Sequence, residues 1–100
     1  MSLAIIVRPE AELDISDAYI WYESKSPGLG AQFIDAIDEA LLLASRSPEI
    51  FPKAHRSTRR ALIRRFPYGI FYTIEAERIV VLAVMHTARH PARWQQRSKS

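Results

Sequence analysis

Seven consecutive apolar residues, Ile79–Met85 (IVVLAVM), constrain this chain more than any other segment. The run is apolar at both parities of a strand's two-residue repeat, so it belongs in the middle of a sheet and not at its edge. It is far shorter than the roughly 20 apolar residues a membrane span needs. Its neighbours precede it. Strand character covers about Arg59–Phe66, Pro67-Tyr68-Gly69 reads as a turn, and Ile70–Ile74 is a second strand. Glu75-Ala76-Glu77 is a tight connection into a third strand over Arg78–Met85. Connections this short join antiparallel neighbours, so the three strands form a meander.

The N-terminal half has a different period. Leu3-Ala4-Ile5-Ile6-Val7 is short, apolar and β-branched, and reads as a strand buried on both faces. Pro9 then sits where a helix's first turn tolerates proline, followed by Glu10 and Glu12 where the helix dipole favours negative charge. Ala11, Ile15, Ala18, Tyr19 and Tyr22 make one apolar face to about Ser24, and Ser26-Pro27-Gly28 stops the helix. A second helix starts near Gly30 with a stripe of Phe33, Ile37, Ala40, Leu41 and Ala44, while Asp35, Asp38 and Glu39 face water and Pro48 closes it. The two helices should pack as an antiparallel hairpin on one face of the sheet. Residues 48–58 read as loop, and Arg89–Gln96 as a short helix or an extended arm. The expected class is α+β, in the order β-α-α-β-β-β, within one domain spanning residues 1–100.

Charge is segregated along the chain. Residues 1–49 hold nine acids against three basic residues (−6), and residues 50–100 hold eleven Lys/Arg against Glu75 and Glu77 (+9), giving the net +3. No acid lies between Glu49 and Glu75, where Lys53, Arg56, Arg59, Arg60, Arg64 and Arg65 all fall. Such a field attracts nucleic acid or an acidic protein surface. The plainer reading is a solvated face whose arginines cover the domain's own acidic helices. The chain has no cysteine, which excludes disulfides, thiolate metal sites and a Cys nucleophile and fits a reducing compartment. No signal segment is visible, so a cytoplasmic protein without membrane contact is expected.

Catalytic and metal motifs are sparse. Gly28-Leu29-Gly30 is better explained by the turn between helices than by phosphate binding, and His55, His86 and His90 lack metal-ligand spacing, so no metal or cofactor is expected. Asp14/Asp17 and Asp35/Asp38/Glu39 have ordinary exposed-face spacings. One grouping supports an enzyme reading. Arg64 and Arg65 precede a turn, and His86 ends the strand expected beside them, with Arg89 just beyond. Phosphodiester cleavage needs an acid, a base and cations on the phosphate, and Tyr68 or Tyr72 could stack on a base or act as an acid, with Tyr72 better placed as a core residue. Trp94, on a basic tail, either pins the C-terminus at a domain edge or stands exposed as a contact residue; pinning is the preferred reading.

These residues also resemble a known family. Arg-(x)3-Arg-Arg-Phe-Pro-Tyr-(x)3-Tyr from Arg60 to Tyr72, the apolar strand, and His86-(x)2-Arg89-(x)-Pro91-(x)2-Trp94-(x)2-Arg97 look like the ParE branch of the RelE/ParE toxins. Ala11-Glu12-Leu13-Asp14, Trp21-Tyr22-Glu23, Pro27-Gly28-Leu29-Gly30, Phe33 and Ser47-Pro48-Glu49 agree with it. The resemblance implies a RelE/ParE-like fold and a toxin of a bacterial type II toxin–antitoxin pair. Its antitoxin would be ParD-like: a ribbon-helix-helix dimer on operator DNA, with a tail that folds on the toxin, so the toxin would meet that DNA only through the antitoxin. Members of the ParE branch are associated with poisoning DNA gyrase, whereas the RelE branch cuts ribosome-bound mRNA. The nuclease branch relies on sheet lysines and arginines with a Tyr or His near the C-terminus. Here only Arg60, Arg64, Arg65 and His86 stand in, and the tail continues through Trp94, which favours the non-nuclease branch. The implied binding residues are Arg59, Arg60, Arg64, Arg65, Tyr68, His86, Arg89, Arg93 and Trp94. Arg65 and His86 would be catalytic in the ribonuclease alternative.

Overall fold

Pro9 opens α1 (Pro9–Lys25) at the first helical position, where its missing N–H would lack a partner anyway. The computed structural model describes residues 2–88 and 91–97, with α1 following β1 (Ala4–Val7) and preceding α2 (Leu29–Arg46). Then come β2 (Lys53–His55), β3 (Thr58–Leu62), β4 (Tyr68–Glu75), β5 (Arg78–His86) and α3 (Pro91–Arg97). The sheet order is β1-β5-β4-β3-β2, so the apolar β5 lies between two strands as its pattern requires.

The expected β-α-α-β-β-β core is present, with four differences. β1 is an edge strand: it pairs with β5 on one side only, and Ala4, Ile5 and Ile6 are exposed. An apolar run of this length carries the same pattern whether one or two neighbours flank it. β1 also runs parallel to β5, which makes the sheet mixed and not wholly antiparallel. The segment after Pro48 holds β2, which pairs with β3 through a bulge between Lys53 and His55. The turn expected at Pro67-Tyr68-Gly69 lies earlier, at residues 63–67, and Tyr68 and Gly69 are already strand residues. Arg60 packs closely over Gly69: an added Cβ would lie 3.1 Å from its Cγ, so a side chain there would have to shift Arg60.

The helical hairpin is closed by a carboxylate. Glu23 accepts hydrogen bonds from the Gly28 and Gly30 N–H groups at 3.0 and 2.9 Å, giving the exposed donors at the start of α2 an anionic partner. Gly28 has φ +88°, and the Tyr19 ring covers Gly30 so closely that a Cβ would sit 2.7 Å from it. Both glycines therefore serve this joint. The main core packs Phe33, Ile37 and Ala44 of α2 and Ala11 and Ala18 of α1 against Ile70, Tyr72 and Val81 of the sheet. Leu41, expected in that stripe, is only half-buried.

Tyr72 is fully buried, and its hydroxyl donates to the Pro48 carbonyl at 2.7 Å. Burial pushes its pKa up to about 12, partly offset by the nearby Arg59 guanidinium. The neutral phenol is thus favoured in the folded chain, whereas the unfolded chain loses this proton near pH 10. Between pH 10 and about 12 the unfolded state binds fewer protons, so stability falls as pH rises, by up to about 1.4 kcal/mol per pH unit. Denaturant titrations at increasing alkaline pH should show this slope. Tyr72→Phe should abolish it while losing about 1 kcal/mol at neutral pH from the Pro48 hydrogen bond.

Candidate docking surface

The β3–β4 connection is fixed by two apolar side chains. Ile63 and Phe66 are buried, and the Phe66 ring meets Tyr22 and Phe33 edge-on at 4.8 and 5.4 Å. The Ile63 N–H donates to the Tyr68 carbonyl at 3.1 Å. With residues 63 and 66 turned inward, Arg64 and Arg65 project into solvent, Arg65 from a left-handed φ of +73°. Arg64 approaches Glu39 of α2 at 3.5 Å, but the two side chains are 77% and 59% exposed, so the pair contributes little. Gln32, Asp35, Ala36 and Glu39 form with these arginines a shallow cleft of about 140 Å³.

Strand register separates the other two arginines. Arg59 lies opposite Tyr72, on the sheet face that carries the helices, and Arg60 lies opposite Phe71, on the far face. The Arg59 guanidinium donates to the Phe51 and Glu49 carbonyls at 2.7 and 3.2 Å. It ties the segment after α2 to the sheet, which leaves Arg64 and Arg65 as the exposed part of the expected cluster, with Arg60 half-buried over Gly69 on the far face.

Tyr68 and His86 are register partners with ring centroids 5.7 Å apart. Phe33 and Tyr22 flank Tyr68 at 5.3 and 6.0 Å. The Ala88 N–H donates to His86 Nδ1 at 3.1 Å, which assigns the ring proton of neutral His86 to Nε2. Both rings line a cleft of about 350 Å³ against α1, together with Asp14, Asp17, Trp21 and Arg93. Arg65 does not line this cleft; it belongs to the smaller one beside α2. Among the described residues, no three His, Cys, Asp or Glu side chains gather as a metal site, and no helix is long and apolar enough to cross a membrane.

Trp94 is buried. It stacks on Phe71 at 4.2 Å and 17°, and with Ala83 and Met85 forms a second small core on the far face of the sheet. The pinning role is thus the structural one, and the indole is withdrawn from any partner because the sheet's far face needs cover. Arg93 of the same helix is exposed. Arg89 and His90 lie outside the described residues.

One pair escaped the sequence reading. Asp14, expected on a solvent face, is mostly buried and receives Arg97 Nη1 at 2.7 Å. The same Oδ2 accepts the Val84 N–H at 3.0 Å, and Arg97 donates to the Leu82 carbonyl at 3.1 Å. β1 pairs with β5 only as far as Val81, so the rest of that edge needs other partners. The burial of Asp14, though not its partner, had a signal: Asp14 lies three residues after Ala11 and four before Ala18, at the border of the buried face.

Comparison with known proteins agrees with this architecture. The chain is similar to a protein solved in the chromosomal ParDE toxin–antitoxin system of P. aeruginosa, with a TM-score of 0.73 at 13% identity over 85% of this chain and 96% of that one. It is also similar to a chain of the RelBE2 toxin–antitoxin complex of Mycobacterium tuberculosis, with a TM-score of 0.60 at 22% identity over 86% and 99% of the two chains. At such identities the likeness establishes the fold. A comparison with curated proteins finds no match. A family model for the "ParE toxin of type II toxin-antitoxin system, parDE" matches residues 5–91, nearly all of the sheet and hairpin described above. The chain therefore belongs to the ParE toxin family of type II toxin–antitoxin systems.

Proposed function

We propose that this ParE toxin acts in the cytoplasm by docking on a protein target, DNA gyrase, and is held inactive by a ParD-like antitoxin whose acidic tail covers Arg60, Arg64 and Arg65. The observation that carries this reading is the separation of the two expected catalytic residues. Arg65 lines the cleft beside α2, and His86 lines the one beside α1. Cleavage of a phosphodiester requires acid, base and cation on the same phosphate. Two outward arginines on a well-anchored loop instead suit recognition of carboxylates, with no cofactor required. A similar fold solved in a ParDE system supports an antitoxin partner of the ParD kind. Operator DNA is reached through that antitoxin, whose ribbon-helix-helix end would bind it.

The purified toxin should block supercoiling by gyrase on a plasmid and leave ribosome-bound mRNA intact, with His86→Ala retaining toxicity. Cleaved mRNA that disappears in His86→Ala would replace this reading with the ribonuclease one. Replacing both Arg64 and Arg65 by Glu should slow antitoxin association by about tenfold or more at low salt. The wild-type rate should fall as salt is added, and the variant's should not. Stopped-flow mixing over a salt series measures both.

A further inference from the structure

α1 carries an apolar stripe that the fold does not use. Leu13 and Ile20 lie a heptad apart, two residues beyond the buried pair Ala11 and Ala18. Two residues turn a helix by about 200°, so this second stripe faces directly away from the core. Leu13 is 65% exposed and Ile20 60%, while Trp21, about 100° further round the helix at the rim of the cleft it lines, is 53% exposed and borders the stripe. A leucine, an isoleucine and a tryptophan exposed together on one helix form a patch of the kind that marks an interaction site. The outward-facing carboxylates Glu10, Glu12 and Asp17 are exposed around it. Asp14 and Glu23 do not contribute, since they hold Arg97 and the start of α2. Lys25 already lies 4.8 Å over the Trp21 ring, so this surface holds a cation even within the chain.

We propose that the outward face of α1 is a second docking surface, taking an amphipathic helix of the antitoxin whose apolar stripe is edged with lysine or arginine. The proposal rests on the antitoxin reading above and adds a contact of opposite sign to the arginine loop. Charge selects the occupant. A second copy of this chain docking through α1 would set carboxylates against carboxylates, and an acidic helix would meet the same repulsion. A helix with cationic edges pairs its charges with Glu10, Glu12 and Asp17 while its apolar residues cover Leu13, Ile20 and Trp21. The partner is then charged in two parts, basic where it crosses α1 and acidic where it crosses Arg64 and Arg65.

The test uses the toxin co-expressed with its antitoxin, and competition binding of the purified pair. Leu13→Ser with Ile20→Ser should weaken the complex at least 100-fold, mainly by faster dissociation. Asp17→Lys should weaken it about tenfold, and a lysine or arginine of the antitoxin changed to Glu should restore binding to Asp17→Lys. Leu13 and Ile20 are exposed and line neither cleft, so their double variant should melt like the parent and still arrest growth when the antitoxin is absent. Asp17 lines the α1 cleft, so Asp17→Lys is read by antitoxin affinity and its rescue alone. Unchanged affinity in the Leu13/Ile20 variant overturns the proposal, as does tighter binding by Asp17→Lys. If these variants bind normally while Arg64→Glu with Arg65→Glu does not, the α1 surface is refuted and the arginine reading stands. If the wild-type chain binds no antitoxin, the reading beneath both is wrong.

Discussion

Asp14→Ala should lower stability by about 3 kcal/mol, close to the cost of stranding one partner of a buried ion pair. In a chain of this size the melting temperature should fall by roughly 12–20 °C. The expectation rests on two groups, Arg97 and the Val84 N–H, that would lose their partner together. Asp14 and Arg97 are only 12% and 19% exposed, so water replaces little of their 2.7 Å contact. The Val84 N–H would lose its acceptor on an edge of β5 that β1 does not reach. Arg97 would keep only the Leu82 carbonyl. Asp14→Asn retains an oxygen for Val84 and removes the charge, so it should cost about half as much. Thermal unfolding of Asp14→Ala, Arg97→Ala and the double variant separates the terms. The double variant should be less damaged than the two single losses added together, because neither charge is left unpaired. A loss below about 1 kcal/mol for Asp14→Ala would mean that water reaches the pair freely.

How far the sequence carries depends on whether a property is local. The central place of β5 was legible, because apolar residues at both parities of Ile79–Met85 leave no solvent face. The two helices and their joint were legible from period, proline and glycine. The edge position of β1 was not, since Ala4–Val7 reads the same with one neighbour as with two, and only the sheet order, with β1 outermost beside β5, decides it. The turn was misplaced because Pro67-Tyr68-Gly69 has turn composition, yet Ile63 and Phe66 already close the loop before it. Among the candidate site residues, Arg64 and Arg65 project outward as their charge suggested. Arg59 and Arg60 look equivalent in sequence, but a sheet sends neighbours to opposite faces, and Arg59 is taken up by the carbonyls of Glu49 and Phe51. Asp14 and Arg97 are 83 residues apart, so no spacing rule could have joined them. The surplus stripe on α1 was hidden for another reason. Ala11, Ile15, Ala18 and Tyr22 satisfied the expected period, and Leu13 and Ile20 then had no role to suggest.

Trp94→Ala should cost about 3–4 kcal/mol, in the range for removing a large aromatic side chain from a packed position. The indole stacks on Phe71 at 4.2 Å, and α3 has little else to bury. Trp94→Phe should recover most of the loss, because a smaller ring can still stack there. The informative comparison is with Asp14→Ala. A seven-residue helix is too short to persist without tertiary contacts, so Trp94 and the Asp14–Arg97 pair each depend on the other keeping α3 in place. If α3 behaves as one cooperative unit, removing either anchor releases most of it, and the second substitution adds much less than it does alone. Amide exchange should then show residues 94–97 opening at similar rates in both single variants. The cleft beside α1 would lose Arg93 from its lining in each case, while the α2 cleft with Arg64 and Arg65 would stay intact. Strictly additive losses would instead mean that Trp94 and Arg97 hold their parts of the tail independently.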